Sequence, residues 1–531
     1  LDRSDSDTQS KHFKFNRSGF LAENSTFNIK STDNPEKPIF SGKHVGIDFS
    51  VQKNIVGIKS QNNDLDGNLN STLEFPYSAY STTIDNATWN IKDKKITMQG
   101  ALESSLFTAT AQNQYGLKYY GTGALYDIAN TSLNITGVQE IHSADAAILP
   151  PDGKVFVKKD GTLESFTKAK IITDTLNRYH TLTNASVKLN SRLSFAGNAD
   201  YQYVNVSSDT FNIKLGNFEF AELTADGQML STKSSGKLST IARAKITEKD
   251  SVFLSPKMLY KGEITMLAPF KNLAMNGQVL PDLKKYPMFG GSWINYKGNK
   301  SEAISINVDE TLRDGGKPLW VGLHIKDGAM MDALYPTFLS TKISGDDLDM
   351  FLATGVFKRD EPNKKFVVSA ADENQIANRY EFYDDKGIIA LEGKFNLLGA
   401  PTKIFETVGI ANIFMDSLKY NFATMMKLDF PLSIPNTQKL GQNIVKANLD
   451  AGNSDAAIVP DSPVFQSKLN QYVGRKEVDT YLSKSAREHL PLFKFSNKFL
   501  STMVISDLNL RWNRVTNAYY SVGKIGISNI G

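Results

Sequence analysis

The chain has 531 residues, 40% of them apolar and 22% charged, so it is long enough to hold several cored domains. Its net charge of +4 is small for this length, and the charges are interspersed rather than gathered into the basic stripe of a nucleic-acid-binding protein. The absence of Cys excludes disulfides, thiolate metal sites and a Cys nucleophile.

A ladder of short strands that open on Ala dominates residues 1–225. The Ala residues recur at steps close to a period of roughly 20–30 residues, and apolar side chains follow each of them. This spacing predicts stacked β-repeat units of the jellyroll or solenoid type. Five inward positions of the ladder are expected either to line an open ligand groove or to fill a closed core: Trp89, Tyr126, Ile148, Ile171 and Val187.

One turn in this region has part of a calcium-loop pattern. Asn62, Asp64 and Asp66, followed by Gly67, match the first half of an EF-hand spacing. The acidic residue that should complete the loop is replaced by Leu73, and no flanking helices are indicated. The pattern therefore favours a structural hairpin turn, with bound calcium as the alternative.

Residues 226–400 are predicted to form a β-rich domain, because turn signals with Gly recur throughout them. One acidic cluster stands out, at Asp346, Asp347 and Asp349. Three acids this close can bind a cation or act as acid and base. They also suit the first turn of a short helix, where negative charge is favoured, and we expect the helix.

Residues 401–531 are predicted to be an α+β segment with helices near 437–490. Ser462 and Pro463 offer an N-cap and a first helical position. Apolar residues at helical spacing follow, and Gly474 marks a stop. Strands are expected to return after residue 498.

Catalytic motifs are not found. None of the six His lies four residues from another, and neither a phosphate-binding loop nor a dinucleotide motif is present. The four Trp are candidates for stacking on a sugar ring, although such residues usually belong to a core or an edge: Trp89, Trp293, Trp320 and Trp512.

The run from Ile141 to Pro150, with Gly153–Val157 and Lys168–Ile172 after it, resembles the repeats of LptA/OstA-type lipopolysaccharide-transport proteins. The resemblance implies open β-jellyroll units that stack into a slide for acyl chains. The chain as a whole also resembles large β-rich envelope proteins of Bacteroidota. Neither resemblance supplies site residues.

Taken together, these patterns predict a mainly β, non-enzymatic scaffold or conduit of the cell envelope, which handles lipid or supports a surface or secretion assembly. We expect a periplasmic or cell-surface protein associated with the outer membrane. Envelope proteins or lipid are its expected partners, nucleic acid is not, and no cofactor other than calcium is indicated. Because the chain opens without a signal segment and ends within a strand, we expect a longer parent. The alternative is a surface protein that binds or cleaves glycans.

Overall fold

The computed structural model describes residues 1–32, 34, 36–61, 71–230, 237–289, 291–299, 304–372, 374–399, 404–452 and 458–530. The predicted fold class is confirmed: the molecule is mainly β, with curled antiparallel sheets and a small helical segment near the C-terminus. Two compact units are present. Unit 1 comprises Leu1–Thr247 and Gly262–Asn276, and unit 2 comprises Glu248–Lys261 and Gly277–Gly531.

The first strands of unit 1 are, in chain order, β1 (Ser6–Gln9), β2 (His12–Asn16), β3 (Gly19–Ile29), β4 (Phe40–Ser50), β5 (Ile55–Ser60), β6 (Thr72–Phe75), β7 (Tyr80–Thr82), β8 (Asn86–Asn90), β9 (Lys95–Gln99), β10 (Leu106–Ala109), β11 (Lys118–Tyr120), β12 (Gly123–Asp127), β13 (Ser132–Thr136), β14 (Ile141–Ser143), β15 (Ala146–Leu149) and β16 (Val155–Val157). Most belong to a first sheet with the order β11-β10-β7-β6-β4-β5-β8-β9-β12-β13-β16, in which β3 also pairs with β4 and both β1 and β2 pair with β3. Strand β11 is therefore an edge of this sheet.

Strands β14 and β15 open a second sheet, which continues through β17 (Phe166–Thr173), β18 (His180–Ser191), β19 (Ser194–Val204), β20 (Thr210–Ala221), β21 (Ser239–Ile246), β22 (Phe253–Ser255), β23 (Met258–Leu267), β24 (Ala274–Pro281) and β25 (Ile294–Asn299). Its order is β14-β15-β17-β18-β19-β20-β21-β23-β24-β25, with β22 on β23. Strand β14 is one edge. Strands β23 and β24 each give residues to both units.

Unit 2 contains the remaining strands: β26 (Ile306–Val308), β27 (Arg313–Asp314), β28 (Lys317–Pro318), β29 (Trp320–Ile325), β30 (Leu334–Ser340), β31 (Leu348–Leu352), β32 (Gly355–Asp360), β33 (Lys365–Ser369), β34 (Arg379–Tyr383), β35 (Ile388–Phe395), β36 (Phe405–Phe414), β37 (Lys419–Leu428), β38 (Met503–Asn513), β39 (Ala518–Ser521) and β40 (Gly526–Ile530). The largest sheet runs β26-β32-β33-β34-β35-β36-β37-β38-β39, with β40 also on β38. A smaller sheet has the order β30-β29-β31, and β27 pairs with β28.

The helices of unit 2 are α1 (Ile434–Asp450), α2 (Pro463–Val473), α3 (Arg475–Ser485) and α4 (Leu492–Phe495). Helix α2 begins as its sequence predicts, because the Ser462 side chain accepts a hydrogen bond from the amide of Phe465. It ends at Gly474, whose φ of 94° suits Gly. Its apolar face packs on the large sheet, where Leu469 is fully buried.

Single 3₁₀ turns occur at Gln112–Gln114, Pro151–Gly153, Glu248–Asp250, Pro287–Phe289 and Asn497–Phe499.

The five Ala of the ladder all lie in strands, but in two different sheets. Ala87 and Ala124 belong to β8 and β12 of the first sheet. The other three, Ala146, Ala169 and Ala185, belong to β15, β17 and β18 of the second. All are buried, because each strand presents Ala on the face that packs inward. The predicted division of the chain at residues 225 and 400 remains a prediction from the sequence.

Candidate functional site

The five predicted groove residues are buried in the two sheets of unit 1. Trp89 is 3% exposed and the other four are fully buried. Trp89 and Tyr126 both lie opposite Ile96 on β9, in the first sheet. Ile148 and Ile171 lie opposite each other in the second sheet, and Val187 pairs with Phe166 there. These side chains fill closed cores and do not form the wall of an open groove, because no appreciable part of them reaches solvent.

The predicted calcium ligands Asn62, Asp64 and Asp66 lie outside the described residues. Across the ranges that the structure describes, no group of three or more His, Asp or Glu side chains has an arrangement suited to a metal ion. Calcium therefore remains a prediction from the sequence pattern alone.

A cleft of about 1030 Å³ opens between the first and second sheets of unit 1. One side is formed by the β10–β11 hairpin and the turn before it. The other side is formed by β14 and by the loops that join β14 to β15, β17 to β18 and β18 to β19. Its lining residues are Leu102, Glu103, Leu106, Lys118, Tyr119, Tyr120, Gln139, Glu140, His142, Ala144, Asp145, Asp174, Thr175, Leu176, Arg192, Leu193, Lys237 and Leu238.

Both sheets contribute apolar side chains to this cleft. Leu106 and Tyr120 come from the hairpin of the first sheet, and Leu176 comes from a loop of the second. Tyr120 is 48% exposed and Leu176 is 76% exposed. Apolar groups this accessible next to a cavity of this size are typical of a binding surface, since burying them on a ligand removes them from water.

The mouth of the cleft also has charged side chains of both signs. Glu140 binds the His142 ring at 2.9 Å, and Arg178 lies 3.8 Å from the same carboxylate. Lys118 and Arg192 also line the cleft, and among the described residues neither forms an ion pair with a carboxylate. Lys118 and Arg192 are therefore available to bind an anionic group of a ligand. Glu140, in contrast, is already bonded to His142 and lies beside Arg178.

Asp145 is one of two buried carboxylates of the cleft, at 9% exposure, the other being Asp174 at 4%. It accepts hydrogen bonds from the amide of Thr240, at 2.8 Å, and from the Thr240 hydroxyl. Burial raises the pKa of this carboxyl above its usual value, and the two hydrogen bonds offset only part of the effect. Because both donors come from β21, Asp145 ties the β14–β15 turn to a distant strand of the second sheet.

Unit 2 contains a separate polar cluster around His324. The imidazole Nδ1 lies 2.8 Å from Asp349, and Nε2 lies 2.8 Å from the Thr337 hydroxyl. Lys342 also binds Asp349, at 2.5 Å. An acid, an imidazole and a hydroxyl in sequence are the elements of a nucleophilic triad. His324 is fully buried and Thr337 is 2% exposed, so the hydroxyl is not accessible to a substrate.

The predicted helix at Asp346, Asp347 and Asp349 is wrong. Asp349 lies in strand β31, beside His324 on β29. Asp347 instead closes the loop before β31, where it accepts hydrogen bonds from the amides of Asp327 and Ser344. The apolar residues that follow the acids are buried in a strand, because β-sheet pairing with β29 overrides the helix-start signal.

The four Trp side chains are placed in cores or beside cations. Trp89 and Trp512 are 3% and 9% exposed. The ammonium of Lys261 lies 4.1 Å from the ring centre of Trp293, and that of Lys342 lies 4.7 Å from Trp320. Each of these two rings therefore has one face covered by a Lys, where a sugar would otherwise stack.

Compared with models of known protein families and with curated protein sequences, the chain matches none of them. Within the described ranges, no helix combines the length and the apolar character needed to cross a membrane.

Sequence reasoning missed the cleft as a site but included part of it. The run Ile141–Pro150, which carries the resemblance to transport repeats, supplies His142, Ala144 and Asp145 to one wall. The opposing residues, such as Leu106 and Tyr120, come from the β10–β11 hairpin, which lies outside this run. No sequence motif marks Tyr120, which ends strand β11, or Leu176, which lies in the loop between β17 and β18.

Proposed function

We propose that the chain is a non-enzymatic scaffold of the cell envelope that holds a partner in the cleft of unit 1. The observation that carries this proposal is the cleft itself: about 1030 Å³ between two sheets, with exposed apolar side chains and unpaired cations on its walls. The paired strands of the two sheets provide a stiff support for such a site. Envelope location, at the periplasmic face or surface of the outer membrane, is part of the proposal.

The burial of the five ladder residues supports a scaffold more than a continuous conduit. An acyl slide needs a trough of apolar side chains that stay open to solvent. Tyr126 and Ile171 instead have no exposed surface, and the Tyr126 hydroxyl donates to the carbonyl of Ile39 inside the first sheet. The binding capacity of unit 1 is therefore better assigned to the cleft than to the interior of the sheets.

Lipid is the second candidate occupant, because the cleft has several Leu side chains on its walls. Leu102, Leu193 and Leu238 are all partly exposed within it. Native mass spectrometry of the protein purified from cell envelopes tests this candidate directly. A lipid of defined mass that stays bound supports it, and a chain free of lipid counts against it.

Glycan binding or cleavage, the alternative function, has less support. Cleavage needs two carboxyl groups facing one cleft, with a raised pKa on the acid. Asp145 has the raised pKa, but its carboxylate is held by Thr240. The covered faces of Trp293 and Trp320 also disfavour a sugar platform.

Site-specific photocrosslinking in living cells tests the scaffold proposal. A benzophenone amino acid at Tyr120 or Leu176 lies in the cleft, whereas Tyr115 and Leu21, which are 59% and 39% exposed, lie outside it. We expect the two cleft positions to form an adduct of the same mass that the two control positions do not form. Equal adducts at all four positions, or none at the cleft, would overturn the proposal. Fractionation of the same cells tests envelope location.

A further inference from the structure

We infer that helix α1 lies on a membrane surface, with an apolar stripe buried among the lipid chains and with Lys439 and Lys446 beside anionic headgroups. The stripe consists of Ile434, Val445 and Leu449. Helix α1 belongs to unit 2 and the cleft to unit 1, so this inference and the proposed function of the cleft can fail separately.

Helix α1 is unusual because none of its 17 residues is buried. Helices α2 and α3, of 11 residues each, have five and two buried residues. Most of the stability of a helix in a protein comes from packing of its apolar face, and isolated helices shorter than about 12–15 residues are marginal in water. Three Asn and Gly441 lower the helix propensity of α1 further. A surface that covers its apolar stripe would supply the missing stabilisation.

The exposed apolar residues of α1 lie on one side of the helix. Successive helical residues are about 100° apart around the axis, so Ile434, Val445 and Leu449 fall within about 60° of one another. They are 76%, 59% and 65% exposed. A stripe of this kind, on a helix whose other side is polar, is the pattern of a helix that lies in the plane of a membrane surface.

Another side of α1 attaches the helix to unit 2. Leu440, Gly441 and Ile444 are half-buried, and α1 packs against β40. A Cβ atom at Gly441 would lie 3.7 Å from Cγ2 of Ile530 on that strand. The helix is therefore held through one side, while the stripe stays open to solvent.

The segment that leads into α1 adds to the exposed apolar surface. Phe430 and Leu432 are 40% and 41% exposed. The backbone of Phe430 is fixed, because its amide donates to the Thr502 hydroxyl at 3.0 Å and its carbonyl accepts a hydrogen bond from the same hydroxyl. Exposed apolar residues grouped in this way mark sites of contact with proteins or membranes.

The composition of α1 favours lipid over a protein partner. Protein interfaces are enriched in aromatic residues, Met and Arg, and they are depleted in Lys. Helix α1 contains no aromatic residue, Met or Arg, but it has two Lys. At about 100° per residue, Lys439 and Lys446 lie about 20° apart, on the polar side of the helix. Among the described residues, neither forms an ion pair. Long Lys side chains reach the headgroups from such positions while the stripe is buried.

Co-sedimentation of the full chain with lipid vesicles tests the inference. One set of vesicles is pure phosphatidylcholine, and the other also contains anionic phosphatidylglycerol. We expect binding to both sets, about tenfold tighter to the anionic one, since each Lys near an anionic surface adds to the affinity. Lys439→Gln combined with Lys446→Gln should remove this preference and keep the weaker binding to phosphatidylcholine.

A second pair of substitutions tests the stripe. Val445→Glu combined with Leu449→Glu should abolish binding to both sets, because carboxylates resist transfer into lipid. Val51→Glu combined with Val515→Glu is the control, since these positions are 54% and 69% exposed and lie outside α1. The control should bind as the unaltered chain does. Urea unfolding midpoints verify that every variant is folded.

A fluorescent label reports insertion directly. The chain has no Cys, so Val445→Cys creates a single attachment point for a dye sensitive to polarity. Vesicles should shift its emission to the blue, and they should leave a dye at Val515→Cys unchanged.

Failure of the unaltered chain to bind either set of vesicles would refute the inference. Equal loss of binding in the stripe and control variants would do the same, as would blue shifts of equal size at both dye positions. Light scattering covers the remaining occupant. A dimer that Val445→Glu with Leu449→Glu dissociates would assign the stripe to a second copy of the chain instead of a membrane.

Discussion

Ala87 and Ala124 lie opposite the same residue, Met98, from the two strands that flank β9. The three side chains are 3%, 5% and 1% exposed. Directly opposed side chains on antiparallel strands are in contact, so two small residues on either side leave space for one long one. The recurring Ala of the sequence is thus, at this place, the small member of a packed row.

Replacing Ala87 by Leu should destabilise unit 1 by about 1–3 kcal/mol, because the row has no space for three more carbons. Met98→Ala alone should cost about 2–5 kcal/mol through the cavity it leaves. The double variant should lose less than the sum, since the Leu fills part of that cavity. Hydrogen exchange in a urea series reports the unfolding free energy of unit 1. Strict additivity would contradict the packing argument, and the exposed Ala101→Leu is the control.

The ion pair of Arg359 and Asp384 should respond asymmetrically to substitution. The two groups are 2.5 Å apart, and their side chains are 6% and 5% exposed. Asp384→Asn leaves the buried guanidinium with only the more exposed carboxylate of Glu361, at 3.0 Å, and should cost up to about 3 kcal/mol, whereas replacing both by apolar residues of similar volume should be nearly neutral. Urea unfolding of unit 2 measures both. A double variant as unstable as Asp384→Asn would show that the ion pair itself stabilises unit 2, beyond the neutralisation of each charge by the other.

His324 should make the stability of unit 2 dependent on pH. Burial lowers the pKa of its imidazole, and the hydrogen bond to Asp349 offsets only part of that shift. The unfolded state then binds a proton first as the pH falls, so stability should decrease below about pH 6.5. His324→Gln should cost about 1–3 kcal/mol at neutral pH and flatten this dependence. Unfolding midpoints between about pH 8 and about pH 5 test both effects. The exposed His12→Gln should leave the dependence intact.

Asp145 should make the stability of unit 1 depend on pH in the opposite direction, so that stability decreases as the pH rises. Burial raises the pKa of its carboxyl, so the folded state holds the proton more tightly than the unfolded state does. Its stabilising contribution is complete below the usual pKa and is lost as the pH rises through the folded value. The stability of Asp145→Asn, relative to the unaltered chain, should therefore increase from about pH 3.5 to about pH 7. An unchanged difference between the two proteins across this range would show that folding does not shift the pKa of this carboxyl.

Gly197 should not tolerate a side chain. Its φ is 144°, and a Cβ atom would lie 1.9 Å from the carbonyl oxygen of Ser186 on the neighbouring strand. The two strands β18 and β19 change register just before this point. Gly197→Ala should destabilise unit 1 by at least about 1–3 kcal/mol. Gly345→Ala, where nothing lies within 4 Å, should be neutral or stabilising by up to about 1 kcal/mol. Thermal unfolding of both variants distinguishes the two sites.

The sequence predicts strands and helix ends well where the signal is local. The Ala of the ladder lie in strands because alternation of apolar and polar residues is read over a few positions. Helix α2 starts at Pro463 because the cap and the first turn are adjacent in the chain. The chain also turns at Gly161, whose φ of 79° suits Gly.

What sequence reasoning could not supply depends on distant residues. Strands β8 and β12 belong to one sheet and β15 to another, a division set by pairing between segments far apart in the chain. The local sequence around Asp349 indicates a helix start. Its partner, His324, is 25 residues away in the chain, and only the fold brings the two side chains together. The cleft could not be predicted from the sequence for the same reason, because its walls come from two sheets.

The order in which the chain contributes to the two units also constrains its synthesis. Unit 1 is complete only with Gly262–Asn276, which follow a stretch, Glu248–Lys261, that belongs to unit 2. The late stretch supplies Ile264 and Met266, both fully buried, to the core of unit 1. A nascent chain that ends at Thr247 therefore lacks part of the core of unit 1. A fragment cut at this residue should be prone to aggregate. Any uninterrupted stretch of the chain that contains one unit whole also contains part of the other.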